Sequence, residues 1–368
     1  MGKRLSEDGR FSHAKGRIVD NLEIKIGDIF QLDEHRVMCG DATNAEDVAA
    51  LMGGGKAALI HADPPYGLKK QRYGIHGDNA NRDDLLDFNR KWIGVTLDVL
   101  ADNGSFYCWG KDEGLMDIYA FIMRPLRRAP YKNRMTFRNL ITWDKGSGQG
   151  QLSGLHRMFA TADEKCLFYM KGQQDYGETK ADYWEGWEPL RRYFENEKKK
   201  SGLTNDQLAK IDSSRVTHYW AKSQWEMPNE ANWNKLRTYC IEHGIDAFRE
   251  EYEHIREEWR KTRAYFDNTS ENMNSVWHFQ RVLAGTKEWK EARGFPTIKP
   301  VALCKRVVTV SAREWDVVLD PFGGSGSTLI ACEDTNRRCR MMEITPRHVA
   351  NIIKRWEEHA GKEAVRIR

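Results

Sequence analysis

An apolar strand running straight into a glycine-rich loop and then a helix leaves a chain few folds to choose from. This sequence carries one near its carboxyl end. Val317-Val318-Leu319-Asp320 is followed by Pro321-Phe322-Gly323-Gly324-Ser325-Gly326-Ser327-Thr328 and the helical stretch Leu329 to Asp334. Strand, loop and helix in that order form a nucleotide-cofactor arrangement, in which glycines let the ligand approach the backbone. The loop has no P-loop lysine, so it is not built for a triphosphate, and it does not spell GxGxxG, which disfavours a dinucleotide. The next strand, Arg340 to Ile344, carries Glu343 about 20 residues beyond the loop, where a carboxylate receives ribose hydroxyls. A glycine loop and a ribose acid without a phosphate binder point to a nucleoside cofactor lacking phosphate. S-adenosylmethionine meets that description. The plainer alternative is a structural glycine turn, with Glu343 as a surface acid.

A second strand, Ala57 to Ala62, is short and apolar enough to lie buried in a parallel sheet. It delivers Asp63-Pro64-Pro65-Tyr66 to its carboxyl end, where open α/β sheets bind their ligands. Asp63 can accept a hydrogen bond from an exocyclic amine, and Pro65 leaves the Pro64 carbonyl pointing outward as a second acceptor. Tyr66 offers a flat face on which a base can stack. Taken alone, the tetrapeptide reads equally well as a strand-to-loop turn.

Strands and helices alternate from Leu22 to Gly172, the signature of a mostly parallel sheet. Asp41 ends an early strand and can cap the helix from Ala45 or reach a ligand at the sheet edge. The polar stretch from Gly67 to Asp84 is expected to be a functional lid, with Lys69, Lys70 and Arg72 as candidate DNA contacts. Residues 1–20 are expected to form a loose basic arm. Thr297 and Lys299, just before a helix from Val301, either bond a cofactor carboxylate or serve only as a helix-entry turn. With 58 Lys and Arg against 54 Asp and Glu, the formal charge of +4 permits a polyanionic partner without demanding one. Seven scattered cysteines without CxxC spacing fit a reducing cytosol and argue against a zinc or disulfide framework. No signal peptide is expected from the opening residues, and no apolar run is long enough to span a bilayer.

The pattern changes near Gly172. Glu195 to Lys200 reads as a solvated surface or linker. Thr204-Asn205-Asp206-Gln207 has the form of a capping box. After the turn at Asp212, a second helix is expected over Arg215 to Gln224, and a third from Asn229 to Gly244. That is a helix-turn-helix expectation. Ser213, Ser214, Arg215, Thr217, His218, Lys222 and Gln224 would face phosphates and base edges. A plain helical insert with a polar face is the alternative. Asp246 to Ala264 is expected to be one amphipathic helix whose Phe248, Tyr252, Ile255 and Trp259 form a packing stripe.

Asp63-Pro64-Pro65-Tyr66 followed by Asp320 to Thr328 resembles the amino-methylating DNA methyltransferases, and the motif order is that of their β class. Pro296 to Pro300 matches the element that precedes the family's cofactor loop. Glu343 matches its ribose acid, Asp41 an acid near the cofactor's adenine, and Ile141-Thr142-Trp143 with Lys145 a strand beside the base pocket. The resemblance covers about residues 20–172 and 295–358. It implies an α/β fold: a Rossmann-like class I S-adenosylmethionine methyltransferase sheet with helices on both faces and an inserted, mostly helical target-recognition domain. The expected divisions are a catalytic half at 21–172, the insert at 173–294 and a cofactor half at 295–368.

On this resemblance the implied catalytic residues are Asp63, Pro64, Pro65 and Tyr66. The cofactor would lie against Asp41, Ala62, Asp63, Thr297, Lys299, Asp320, Pro321, Phe322, Gly323, Gly324, Ser325, Gly326, Ser327, Thr328 and Glu343. The implied reaction is methylation of adenine N6 in double-stranded DNA by base flipping and direct in-line transfer, without a metal. Cytosine N4 is the nearest alternative, and an inactive DNA-binding regulator a more distant one. A cytoplasmic protein of bacterial, prophage or phage origin is implied. A homodimer and a companion restriction endonuclease are compatible with the sequence and not specified by it.

Overall fold

The computed structural model describes residues 23–67, 81–126, 128, 134–146, 157, 159–172, 174, 187–269, 273–293 and 295–368. The expected basic arm, Lys69, Lys70 and Arg72 lie outside these residues. In chain order the elements begin with β1 (Ile29–Leu32), β2 (His35–Cys39), α1 (Ala45–Met52), β3 (Ala57–Ala62), α2 (Arg82–Asp98) and β4 (Leu100–Gly110). Then come α3 (Asp112–Asp117), continued by a π-helical turn at Ile118–Met123, β5 (Met135–Asp144) and β6 (Asp163–Lys171). A helical segment follows: α4 (Glu188–Ser201), α5 (Asn205–Ile211), a 3-10 turn (Ser214–Tyr219), α6 (Glu230–Glu242) and α7 (Tyr252–Lys261). The chain returns through β7 (Val276–His278), α8 (Lys287–Glu291), α9 (Val301–Ser311), β8 (Val317–Asp320), α10 (Ser327–Glu333), β9 (Arg338–Glu343), α11 (Pro346–Ala360) and β10 (Val365–Arg366).

The described strands form one sheet in the order β10-β1-β2-β9-β8-β3-β4-β6-β5-β7. Its centre, from β2 through β9, β8 and β3 to β4, is parallel. Side chains on these strands alternate between two cores, which is why the strands read as nearly unbroken apolar runs. Leu59, Tyr107 and Trp109 face a core completed by Val307 of α9, Ile330 of α10 and Ile352 and Trp356 of α11. Ile60, Phe106 and Cys108 face the opposite core with Val48 of α1, Trp92 of α2 and Leu115 of α3. Helices therefore cover both faces of the sheet.

β3 and β8 are neighbours, yet the helices that follow them, α2 and α10, pack on opposite faces. Their crossovers leave in opposite directions, to β4 on one side and β9 on the other. This is a topological switch point, and a crevice opens at the carboxyl ends of such strands. Asp63 follows β3 and Pro321 follows β8, so the two sequence motifs meet at that crevice.

The helical segment has its own apolar core, in which Phe194, Leu208, Val216, Trp233 and Phe248 are fully buried. The charge run Glu195 to Lys200 is the second half of α4 rather than a linker. Glu197 is buried there, and its Oε2 accepts from the Phe248 amide at 2.6 Å.

The capping box forms as expected, with Thr204 and Gln207 bonded reciprocally. The helix-turn-helix does not, because the expected second helix is a six-residue 3-10 turn. Val216, Thr217, His218, Tyr219 and Trp220 are β-branched or ring-bearing residues of weak helix propensity. Tyr219 anchors the turn by donating to Asp212 Oδ2 at 2.7 Å, and Gln224 has a positive φ of 60°. The expected long helix over Asp246 to Ala264 shortens to α7, because Phe248 takes a φ of 54° outside it. Phe248 packs into the core from that turn, edge-on to Trp233.

Candidate active site

The crevice at the switch point holds a cavity of about 740 Å³. Asp41, Asp63, Pro64, Pro65, Tyr66, Thr297, Lys299, Glu343 and the loop residues Asp320 to Ser325, Ser327 and Thr328 line it. Ala62 and Gly326 stand outside the lining: Ala62 is fully buried, and Gly326 packs against Ile352.

The glycine loop is shaped by backbone demands. Gly324 and Gly326 have φ of 51° and 81°, in the left-handed region that glycine tolerates. A Cβ on Gly323 would fall 2.8 Å from Met341 Cγ and 3.1 Å from Ile352 Cδ1, so the loop could not lie this close to β9 and α11. Glu343 braces the turn, its Oε2 accepting from the Gly324 amide at 3.0 Å and its Oε1 from the Thr345 amide at 2.9 Å. Asp41 Oδ1 likewise accepts from the Thr43 amide and hydroxyl, both at 2.9 Å. Asp320 accepts from the Phe322 amide at 3.0 Å. Burial pushes its carboxyl up to about 7, against hydrogen bonds from Thr328 and Phe322 that favour the anion.

A buried hydrogen-bonded chain joins the two motifs. The Trp109 indole donates to His61 Nε2 at 2.8 Å, which leaves the ring proton on Nδ1, 3.1 Å from the Thr328 hydroxyl. Burial, with Lys299 nearby, lowers His61 to about 3, so the ring is neutral. Thr328 in turn bonds Asp320.

At the tetrapeptide, Asp63 Oδ1 accepts from the Tyr66 hydroxyl and from Lys299 Nζ at 2.7 Å. The same ammonium lies 2.9 Å from Glu164 Oε2 on β6 and 3.1 Å from the Tyr66 oxygen. Lys145 Nζ reaches the other oxygen of Glu164 at 2.5 Å. The rings of Tyr66, Trp109 and Trp143 stand 5.5, 5.4 and 6.0 Å from Lys299 Nζ, within cation–π range.

Electrostatics here follow from burial working against charge. Burial alone would discharge Lys299, but Asp63 and Glu164 outweigh it and hold the ammonium above its ordinary range. Burial alone would protonate Glu164, but Lys299 and Lys145 outweigh it and bring the carboxyl down to about 2. Tyr66 is pushed far up, first by burial and then by Asp63, so it remains a hydrogen-bond donor.

The crevice brings together the tetrapeptide, the glycine loop, Glu343, Asp41 and the Thr297–Lys299 turn. Lys299 lines the cavity, and its ammonium pairs with the part-buried carboxylates of Asp63 and Glu164 at 2.7 and 2.9 Å. Ser213 caps the 3-10 turn, and Ser214, Arg215, Thr217, His218, Lys222 and Gln224 lie on or after it, all outside the cavity lining. Ser214, Arg215, Lys222 and Gln224 are exposed. Arg215 and His218 lie 3.6 and 3.7 Å from Glu226. Glu164, His61 and Trp109 escaped the sequence reading. For Glu164 a signal existed, since Asp163-Glu164-Lys165 opens an otherwise apolar strand with three charges.

Comparison with known proteins gives one family. The family model described as DNA methylase (N6_N4_Mtase) matches residues 57–355. The type II methyltransferase M.HpaI of Haemophilus parainfluenzae is 23% identical over 316 residues, which span 86% of this chain and 72% of that enzyme. The type II methyltransferase M1.MboII of Moraxella bovis is 24% identical over 290 residues, spanning 76% and 81%. Among solved structures, the PvuII DNA methyltransferase (cytosine-N4-specific) is similar over 90% of each chain, at 12% identity and a TM-score of 0.49.

Proposed function

The chain belongs to the DNA methylase family, and we propose that it transfers a methyl group from S-adenosylmethionine to the N6 amine of adenine in double-stranded DNA. The observation that carries this reading is the state of Asp63. One carboxylate oxygen is held by Tyr66 and Lys299, while among the described residues the other has no partner. Asp63 and Pro64 both line the crevice shared with the glycine loop.

The cavity suits the proposed cofactor. Glycines open the loop backbone, Glu343 and Asp41 present acids to hydroxyls and amines, and the loop itself carries no phosphate-binding lysine. Asp41 and Glu343 would hold the nucleoside, with the backbone of Phe322 to Ser325 beneath it. When bound, S-adenosylmethionine supplies an electrophilic methyl group on a sulfonium.

The remaining work falls to the chain. Asp63 Oδ2 and the Pro64 carbonyl accept the two hydrogens of the amine, which draws the nitrogen lone pair out of conjugation with the ring. Lys299 pins Oδ1, so positive charge developing on nitrogen faces Oδ2, where a fixed anion stabilises it and accepts the proton that the methylated nitrogen must shed before passing it to solvent. Alignment supplies much of the rate, because the amine is held at attacking distance. The amine is paired inside a duplex, so the base must leave the stack, and Tyr66 offers the face against which it settles.

Any exocyclic amine fits between two such acceptors, so cytosine N4 is the second reading. Incubation with methyl-labelled S-adenosylmethionine and duplex DNA, followed by nucleoside chromatography, separates the two. Label in N6-methyladenine is the expected result. Label in N4-methylcytosine overturns the base assignment, and unlabelled DNA overturns the function.

The helical segment is proposed as the DNA-recognition region, resting on exposed Arg215 and Lys222 and on its place between the two halves of the site. Arg215→Ala with Lys222→Ala is expected to weaken duplex binding several-fold and to flatten the salt dependence by roughly one unit of slope per lost phosphate contact. Fluorescence anisotropy across a salt series checks this. An unchanged slope would return the segment to a packing role.

A further inference from the structure

We propose that Glu164 is a positioning residue for methyl transfer, acting on Asp63 through Lys299; the proposal rests on the functional reading above. The Lys299 ammonium donates to the Tyr66 oxygen at 3.1 Å and forms ion pairs with Asp63 Oδ1 at 2.7 Å and Glu164 Oε2 at 2.9 Å. This fixes the ammonium on one side of Asp63 and leaves the carboxylate's other oxygen to the substrate amine. Lys145 on Glu164 Oε1 turns the glutamate so that Oε2 faces Lys299. Two carboxylates and two ammoniums then balance in charge, and only Asp63 is presented to the reacting nitrogen.

The titratable groups around Lys299 leave Glu164 as its second counter-charge. His61 on β3 is neutral, and burial holds the thiols of Cys108 on β4, Cys166 on β6 and Cys304 on α9 protonated, as it does Tyr66. Asp63 and Glu164 are the anions in contact with the ammonium. Without the charge of Glu164, the ammonium is drawn by Asp63 alone. It then bridges both carboxylate oxygens and competes with the amine it should leave exposed.

The test is Glu164→Gln, which keeps the shape and removes the charge, run beside the wild-type protein. Expected is a kcat about 100-fold lower, the size of effect a 1 Å misplacement produces. The S-adenosylmethionine Kd by calorimetry stays within about twofold, because the variant touches neither loop nor ribose acid, while the melting temperature falls with the loss of the ion pair. The KM for duplex DNA stays within about twofold, so the loss falls on kcat, and Glu164→Asp, which returns the charge, recovers at least about tenfold of it. Wild-type kcat in Glu164→Gln, or a Glu164→Asp variant no faster than Glu164→Gln, overturns the proposal. If Glu164→Gln does not fold, Lys145→Met serves instead: a fall in kcat of about tenfold or more with cofactor binding retained is expected, and an unchanged kcat overturns the proposal. A wild-type protein that labels no DNA sinks the parent function, whereas an active wild type with an equally active Glu164→Gln sinks only this role.

Discussion

Asp63→Ala is expected to lower methyl transfer by at least about 10³-fold while the protein stays folded and binds S-adenosylmethionine with near wild-type affinity. The substitution removes the acceptor that orients the amine and the anion that faces its developing charge. It leaves the glycine loop, Glu343 and Asp41 untouched, and these are bonded within their own elements. Lys299 keeps Glu164 and the Tyr66 oxygen as partners, so no buried charge is left alone. Single-turnover transfer and calorimetric cofactor binding separate the two effects. A variant retaining a tenth of wild-type activity would show that Asp63 does not hold the reacting amine.

Lys299→Met is expected to carry the largest cost in stability. The ammonium sits between two carboxylates, and removing one partner of a buried ion pair costs about 3–5 kcal/mol. Activity falls with it, because Asp63 loses the contact that fixes Oδ1. The pH dependence has a defined sign. Glu164 falls from an ordinary 4.5 to about 2 in the folded protein, so its contribution is full above 4.5 and is lost as pH falls through about 2. That window is worth roughly 3 kcal/mol at one pKa unit per 1.36 kcal/mol. Lys299 titrates above its ordinary range, so its contribution persists through neutral pH and is lost only on the far alkaline side. Chemical denaturation at pH 7 and pH 3 should show the wild type losing stability on acidification. Lys299→Met should start lower and lose less. Equal stability of the two proteins at pH 7 would mean that the cluster is not held by Lys299.

Both anchors of the site were legible in the sequence because each is local. Val317 to Thr328 announces a strand, a turn that only glycine permits and a helix, and Ala57 to Tyr66 announces a strand ending in a rigid polar corner. Helix α1 was readable in the same way, from a regular pattern stopped by Gly53, whose φ is 60°. Glu164 shows in the sequence only as one of three charges opening a strand; its role is not legible there, because it comes from Lys299, a residue distant in sequence that the fold carries to its side. The place of Lys299 is set in the same way: proximity to a helix start suggests a cofactor contact, and the fold pairs its ammonium with Asp63 and Glu164. The helix-turn-helix failed on local grounds. The polar residues after Asp212 suggest a recognition face, but Val216 to Trp220 favours another conformation and Val216 and Tyr219 are pulled into the core.

The central claim is that this crevice methylates an amine of one base within a recurring DNA sequence. The most direct measurement is single-molecule sequencing of unmodified duplex DNA after treatment with the purified protein and S-adenosylmethionine, with Asp63→Ala in parallel. The account predicts modified adenines confined to one short recurring sequence in the wild-type sample and none with the variant. DNA left unmodified by the wild type, or modification that persists with Asp63→Ala, would contradict it.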